Sequence, residues 1–431
     1  MTAEEAPATL DHARDLDRAD PLRNFAARFA LPRDASGAPL VYLCGHSLGA
    51  MPLAARAAVE QELEDWGSLG ALGHESARRP WLRYHEQLRP GLEYLTGARS
   101  GEIVAMSSLT VNLHLMLASF YRPVARRTKI LIESGAFPSD RHAVASQIAW
   151  HGLDPQRELI ELAPAAGEDL IRQADIESTL ARHGDQIATI LWPGVQYRTG
   201  QLFELAPIAH AARGAGCTVG FDLAHAIGNV PLALHDSGAD FAVWCSYKYL
   251  NAGPGAVGGC FIHERHGAGE GLPRLTGWWG HDPATRFDMD PQFRAAPGAD
   301  GWQVSNPPVL SSAPLIASLE IFREAGMARL REKSVALTAF LERLVRPLAR
   351  IVTPSAQEQR GCQLSIRIPA GPTAPSAART RRILQALEAH GVVCDFRAPD
   401  LLRIAPAPLY NGFEDVFRFA EQLREALETV R

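Results

Sequence analysis

The sequence predicts an α/β fold: a large domain whose mostly parallel sheet is sandwiched by helices, and a smaller α+β domain towards the carboxyl end. Three observations predict it. Between residues 103 and 262, short apolar runs alternate with helical patterns, as in repeated βα units, which build parallel sheets covered on both faces. Two of those runs, 217–221 and 241–245, are small, apolar and β-branched, like strands buried on both sides; they lead into Asp222 and Ser246-Tyr247-Lys248. After residue 311 the texture changes to long helical patterns with short strands between them. At 431 residues the chain exceeds one ordinary core. The expected division is an N-terminal segment (1–50) packing with the small domain, a large domain (51–311) and the small domain (312–431).

Residues 1–35 read as a polar helical lead-in, and 40–44 as a short apolar run before a helical pattern over 52–66. Between them, Gly45-His46-Ser47-Leu48-Gly49 fits G-x-S-x-G, the nucleophile elbow of α/β-hydrolases. Taken alone it suggests a serine hydrolase using Ser47. Only one strand precedes it, however, and no HGGG-type oxyanion loop lies upstream. Residues 70–81 form a loop with a lone His74, structural or solvated by default, although its glycine-flanked loop leaves a substrate role open. A helix follows to about residue 95, then a strand at 103–106.

Ser107-Ser108-Leu109-Thr110 opens the helix 111–121. Such a cluster is first of all an N-cap, and the same geometry offers free N–H groups and hydroxyls to a phosphate. A strand at 129–133 leads to Phe137-Pro138-Ser139-Asp140 at the next helix start, where an aromatic at a strand exit is placed to stack on a heterocycle. Strands at 159–162 and 187–192 and helices at 171–183 and 207–213 continue the alternation. A glycine-rich turn, Gly253-Pro254-Gly255, separates the strand 241–245 from the run 257–262. Residues 264–308 form a long Gly-, Pro- and Trp-rich segment in which Trp278, Trp279 and Asn306 stand out; such runs are usually functional or at an interface. In the last part, helical patterns at 314–350 (broken near Gly326), 378–390 and 412–430 alternate with strands at 362–368, 392–396 and 401–405. Arg403 lies on the last of these. It is a surface charge by default, but its planar fork suits a substrate carboxylate.

Asp222, His225 and Lys248 therefore arrive together at strand ends, where open α/β sheets bind ligands. As isolated residues, Asp222 would be a helix N-cap and Lys248 a solvated loop residue. Together they suit pyridoxal phosphate, whose aldehyde takes a lysine amine and whose pyridine nitrogen takes an acidic partner. The six cysteines (44, 217, 245, 260, 362, 394) form no CxxC pair, so reduced buried thiols in a cytoplasmic protein are expected, with no metal site. A net charge of −5 and the lack of a basic, aromatic-interleaved run argue against nucleic acid. No segment reaches 18 apolar residues and the first residues show no apolar signal core, so neither membrane spanning nor secretion is expected.

With these residues in place, the chain resembles the kynureninases, pyridoxal-phosphate enzymes of the aspartate-aminotransferase fold (fold type I). The likeness is carried by YLCGHSLG, GHESARRPW, LTVNLHLML, FPSD, VGFDLAHAIGNV, CSYKYLNAGPG, GWWGH, SNPP and RIAPAPLYN, spread from about Tyr42 to Asn411. The resemblance implies Lys248 as the Schiff-base lysine, Asp222 as partner of the pyridine nitrogen, and Tyr247 as proton relay. It implies Phe137, Pro138, Ser139, Asp140 and His225 around the ring, and Leu109, Thr110, Tyr247, Trp278 and Asn306 at the phosphate. Ser47, His74 and Asn306 would face the aromatic end of the substrate, and Arg403 its α-carboxylate. The implied reaction is hydrolysis of L-kynurenine, or its 3-hydroxy analogue, to anthranilate or 3-hydroxyanthranilate and L-alanine, in tryptophan breakdown or pyridine nucleotide synthesis. A homodimer with shared sites is implied. Pro193 departs from relatives that carry a hydroxyl residue near the phosphate. The rival within the cofactor class is a cysteine desulfurase or aminotransferase; a desulfurase needs a mobile exposed cysteine, and none of the six sits in a Gly/Ser loop.

Overall fold

The computed structural model describes residues 9–267, 271–369 and 376–430. A seven-stranded sheet lies at its centre. In chain order the strands are β1 (Ile103–Ala105), β2 (Lys129–Glu133), β3 (Leu159–Leu162), β4 (Ile187–Pro193), β5 (Thr218–Asp222), β6 (Phe241–Cys245) and β7 (Gly258–Ile262). They are arranged β1-β7-β6-β5-β4-β2-β3. Strands β2 to β6 pair in parallel, and β7 alone runs antiparallel to both its neighbours. Because β7 turns back, the chain from 246 to 257 must cross the carboxyl edge of the sheet, and it carries Lys248 with it.

The strands are apolar on both faces because both faces are covered. Along β6, Ala242 and Trp244 enter one core and Phe241 and Val243 the other. The predicted parallel sheet is thus present, with one reversed strand. The smaller sheet is antiparallel, in the order Arg350–Ile351, Leu364–Arg367, Leu401–Ile404, Asp395–Arg397. Helices Ser376–Ala389 and Phe413–Thr429 and the end of Met327–Val345 share its core. No helix among the described residues is long and apolar enough to cross a membrane.

Several expectations need correction. The lead-in is α-helical only over Leu10–Ala19; a 3-10 turn follows, and Phe29–Ala30 then pairs with Met51–Pro52. The segment expected as one helix up to residue 95 is a 3-10 stretch, Trp81–Gln87, kinked within at Arg83, followed by a separate helix, Arg89–Thr96. The strand expected over 392–396 is two pieces. Val392–Val393 pairs in parallel with Val41–Tyr42, whereas Asp395–Arg397 joins the small sheet. The pairing of Val392–Val393 was not visible locally, because its partner, Val41–Tyr42, lies near the other end of the chain.

Two carboxylates fasten the lead-in. Asp17 accepts from the Phe413 and Glu414 N–H groups at 2.7 and 2.9 Å, capping the final helix from another element. Asp20 pairs with Lys333 at 2.7 Å, with both side chains less than a tenth exposed. Removing one partner strands a buried charge, so Lys333→Ala is expected to destabilise the protein by about 3–5 kcal/mol in urea unfolding. A loss under about 1 kcal/mol would mean that Asp20 finds water there.

Candidate active site

The cleft opens at the carboxyl ends of the parallel strands, and its walls follow from what ends there. Glu133 closes β2, Pro193 closes β4 and Asp222 closes β5. Helix Leu109–Phe120 begins after β1, helix Pro138–Trp150 after β2, and Lys248 follows β6. Leu109, Thr110, Phe137, Ser139, Asp140, Asp222, His225, Tyr247 and Lys248 all line it. Pro138 stands beside Ser139 at the first position of its helix.

The lysine is held at its backbone and at its amine. Its carbonyl accepts from Asn251 N–H at 2.9 Å, and the preceding carbonyl of Tyr247 accepts from Gly49 N–H at 2.8 Å. Lys248 Nζ lies 3.1 Å from His225 Nε2 and 5.6 Å from the centroid of Phe137. Burial first, then the charges of Lys248 and Arg403, hold the His225 imidazole well below its ordinary range, so it is neutral. Its Nδ1 is buried and unpaired among the described residues.

Three carboxyl groups meet on the opposite wall. Asp222 accepts from Ala224 N–H at 2.6 Å and shares a hydrogen bond with Asp140. Burial, then the charge of Asp222, pushes the Asp140 carboxyl well above its usual value, so Asp140 supplies the proton of that bond. Glu133 is raised as well, by burial first and also by Asp222, and Gln196 Nε2 approaches it at 3.4 Å. Tyr247 is pushed up by burial and then by the Cys245 thiol, and keeps its O–H.

A phosphate-bearing pyridine cofactor fits this donor set. The helix at Leu109 has an N-cap, Ser108, whose side chain makes no capping bond, and its first N–H groups face the cleft with the positive end of the helix. Asp140 Oδ1 and His225 Nδ1 are buried without partners among the described residues. Gly258 admits the helix start, since a Cβ there would stand 3.0 Å from Leu109 N.

The remaining predicted residues lie elsewhere. His74, Trp278 and Asn306 meet in a second, surface cleft with Leu72 and Phe287. The Trp278 indole donates to the Arg286 carbonyl at 3.0 Å. Arg403 is 1% exposed and engaged twice, donating to the Tyr197 carbonyl at 2.8 Å and to Asp395 Oδ2 at 2.5 Å. Ser47 is exposed on a turn. The glycines of its motif serve packing: a Cβ on Gly45 would meet the Tyr410 hydroxyl at 2.3 Å, and one on Gly49 the Lys248 carbonyl at 2.2 Å. The strained non-glycine residue after a strand is Ser107, with φ +45°, not Ser47.

Sequence reasoning missed Glu133, Gln196, Tyr197 and Asn229. Tyr197 packs edge-on against Phe137, with centroids 5.2 Å apart. Asn229 donates to the His225 carbonyl and accepts from Cys362 N–H, both at 2.9 Å, tying the histidine turn to the small domain. The only available signal was position, because Glu133 ends an apolar strand as Asp222 does. The six cysteines are all free and none is exposed. Cys44, the least buried, has its thiol pushed up to about 12, by burial first and then by Asp395.

The family model "Kynureninase C-terminal domain" matches residues 330–423, and "Aminotransferase class-V" matches residues 41–371. A kynureninase of Xanthomonas campestris pv. campestris (strain 8004) is 54% identical over 421 residues, covering 97% of this chain and 98% of the relative. One from Xanthomonas euvesicatoria pv. vesicatoria (strain 85-10) is 55% identical, covering 96% and 97%. Among solved structures, a C-DES mutant with glycine covalently linked to its PLP cofactor superposes with a TM-score of 0.75 at 20% identity, covering 89% of this chain and 96% of that one. The cysteine desulfurase CsdA of Escherichia coli gives 0.74 at 19%, covering 95% and 99%. At such identities these two establish the fold alone.

The raised carboxyls have a pH signature. Above the ordinary glutamate value of 4.5, the unfolded chain has released a proton that buried Glu133 keeps, so stability falls as pH rises towards the folded value. Glu133→Gln is expected to remove that slope, on the order of 1 kcal/mol per pH unit between about pH 5 and pH 7. The measurement is the difference between the urea midpoints of parent and variant at the two ends of that range; parallel profiles would mean that Glu133 is ionised in the fold.

Proposed function

The chain belongs to the kynureninase family, and on that premise we propose a role for each residue of the cleft and for a second subunit beside it. The enzyme is a pyridoxal-phosphate-dependent hydrolase that cleaves L-kynurenine, or its 3-hydroxy analogue, to anthranilate or 3-hydroxyanthranilate and L-alanine. One observation carries the residue assignment: the amine of Lys248 shares a single buried cleft with Asp222, Asp140, Phe137 and Thr110. Bound pyridoxal phosphate supplies an aldehyde for the amine and a protonated ring that draws electrons from the substrate's α-carbon.

The residues do the rest. Lys248 holds the cofactor and, once displaced by the substrate amine, moves the α-proton. Neutral His225, hydrogen-bonded to Lys248, accepts a hydrogen bond from that amine. Asp222 keeps the ring nitrogen protonated, and Asp140, itself neutral, holds Asp222 in place with its proton. Thr110 and the start of its helix bind the phosphate. Tyr247 keeps its proton at neutral pH and serves as the relay at the γ-carbonyl or β-carbon. Arg403 takes the α-carboxylate. A desulfurase would need a reactive exposed thiol, and none of the six cysteines is exposed. The same six free cysteines favour a cytoplasmic location.

His74, Trp278 and Asn306 sit together but apart from Lys248, which favours a homodimer in which each subunit's second cleft completes its partner's site. Exposed Trp278, Phe287 and Leu72 make that surface apolar.

Two experiments test these assignments. Adding L-kynurenine to the pyridoxal-phosphate-loaded enzyme is expected to release fluorescent anthranilate. Lys248→Ala abolishes both turnover and the visible absorbance of the lysine-bound cofactor, and Ser47→Ala keeps that absorbance; a coloured, active Lys248→Ala would reject the assignment. Mixing inactive Lys248→Ala with inactive Asn306→Ala is expected to recover roughly a quarter of parental activity, from one intact site in each mixed dimer. No recovery after subunit exchange would make each chain self-sufficient.

A further inference from the structure

Around the Arg403–Asp395 pair, buried polar atoms go unpaired at an unusual density. Native interiors leave only a few such atoms per hundred residues. Here Asp395 Oδ1, Arg403 Nε, Arg397 Nε and both ring nitrogens of His46 have no partner among the described residues. The cluster is assembled from distant parts of the chain. Asp395 and Arg403 face each other across antiparallel strands, and the bridge between Cys44 and Ala405 brings His46 alongside. Asp395 Oδ2 takes Arg403 Nη2 at 2.5 Å and Arg397 Nη2 at 3.1 Å, and His46 Nε2 stands 3.9 Å away, just out of hydrogen-bond reach.

The His46 side chain is fully buried. Burial first, then Arg403, Arg397 and Lys248, keep its imidazole well below the ordinary range, so it is neutral and has one N–H to give. His46 is also near the chemistry, with its ring centroid 6.4 Å from that of His225. A neutral imidazole with two idle nitrogens beside an over-subscribed carboxylate is arranged for a second state.

We propose that Asp395 is the resident occupant of the carboxylate clamp, and that His46 is the positioning residue that receives Asp395 when Arg403 turns to the substrate's α-carboxylate. The inference rests on the reading of Arg403 as that clamp. Without His46, Arg403 could leave Asp395 only by abandoning a largely buried anion to Arg397 alone. With it, one hydrogen bond to a charged group is made as another is given up.

The test uses the pyridoxal-phosphate-loaded enzyme titrated with L-alanine, which carries the carboxylate, and with L-alaninamide, which does not, followed by cofactor absorbance. His46→Phe is expected to weaken L-alanine by about tenfold, the loss of one hydrogen bond to a charged group, and to leave L-alaninamide unchanged. His46→Gln, which keeps a donor, recovers most of the loss. Asp395→Asn removes the competitor, so it tightens L-alanine alone, and in that background His46→Phe has no further effect. Equal weakening of both ligands, no weakening of either, or a His46 effect that persists beside Asp395→Asn would overturn the proposal. Should His46→Phe fail to fold, Asp395→Asn decides on its own, and unchanged or weaker L-alanine binding refutes the exchange. Arg403→Ala separates the two layers. If it does not distinguish L-alanine from the amide, the clamp reading falls and this inference with it. If it does and His46→Phe does not, only the exchange is rejected.

Discussion

Three carboxyl groups taken out of water at adjoining strand ends set the terms for what surrounds them. Asp222, Asp140 and Glu133 cannot all be ionised there, because each anion raises the cost of the next in a medium that screens poorly. The arrangement resolves this by keeping protons on Asp140 and Glu133, and Asp140 gives its proton to the bond it shares with Asp222. On the other wall the logic runs in reverse. Lys248, Arg403 and Arg397 crowd two histidines, which stay neutral. The carboxyls at the strand ends and the cations around the two histidines thus form opposed groups, of which Lys248 and His225 reach the cleft itself.

The sheet makes this division possible. Parallel strands deliver their carboxyl ends to one edge, and the single reversed strand carries residues 246–257 across that edge. The fold is shared with the C-DES mutant and the desulfurase CsdA at TM-scores near 0.75, yet those proteins are only about 20% identical to this chain. The chemistry is set locally: in this chain no thiol is exposed, and the lysine amine meets His225, on which Tyr249 packs edge-on. A common frame accordingly says little about which bond is broken.

Much of this was legible in the residues. Strands buried on both faces announce themselves by unbroken apolar runs, and a charged residue directly after such a run has only the sheet edge to occupy. That is why Asp222, Lys248 and Phe137 to Asp140 could be placed. His46 and Tyr197 could not, because their importance comes from contacts with distant segments, the Cys44–Ala405 bridge and the Phe137 ring, which leave no periodic trace nearby. The Ser47 motif matches a nucleophile elbow for a related reason. Its glycines satisfy a packing demand made by Lys248 and Tyr410, and a pattern cannot say which neighbour requires a small residue.

The parallel contact of Val41–Tyr42 with Val392–Val393 has a consequence for how the protein matures. Every residue that lines the ring pocket lies between 109 and 248, so that half of the machinery is present once the ribosome has passed the sheet. The amino-terminal strand must wait for a partner near the other end of the chain, and Arg403 and Asp395 emerge at about the same moment. A nascent chain therefore has every residue that lines the Lys248 cleft well before it can form the sheet that carries Arg403. The terminal helix, capped by Asp17, follows later still and closes the core beneath the smaller sheet.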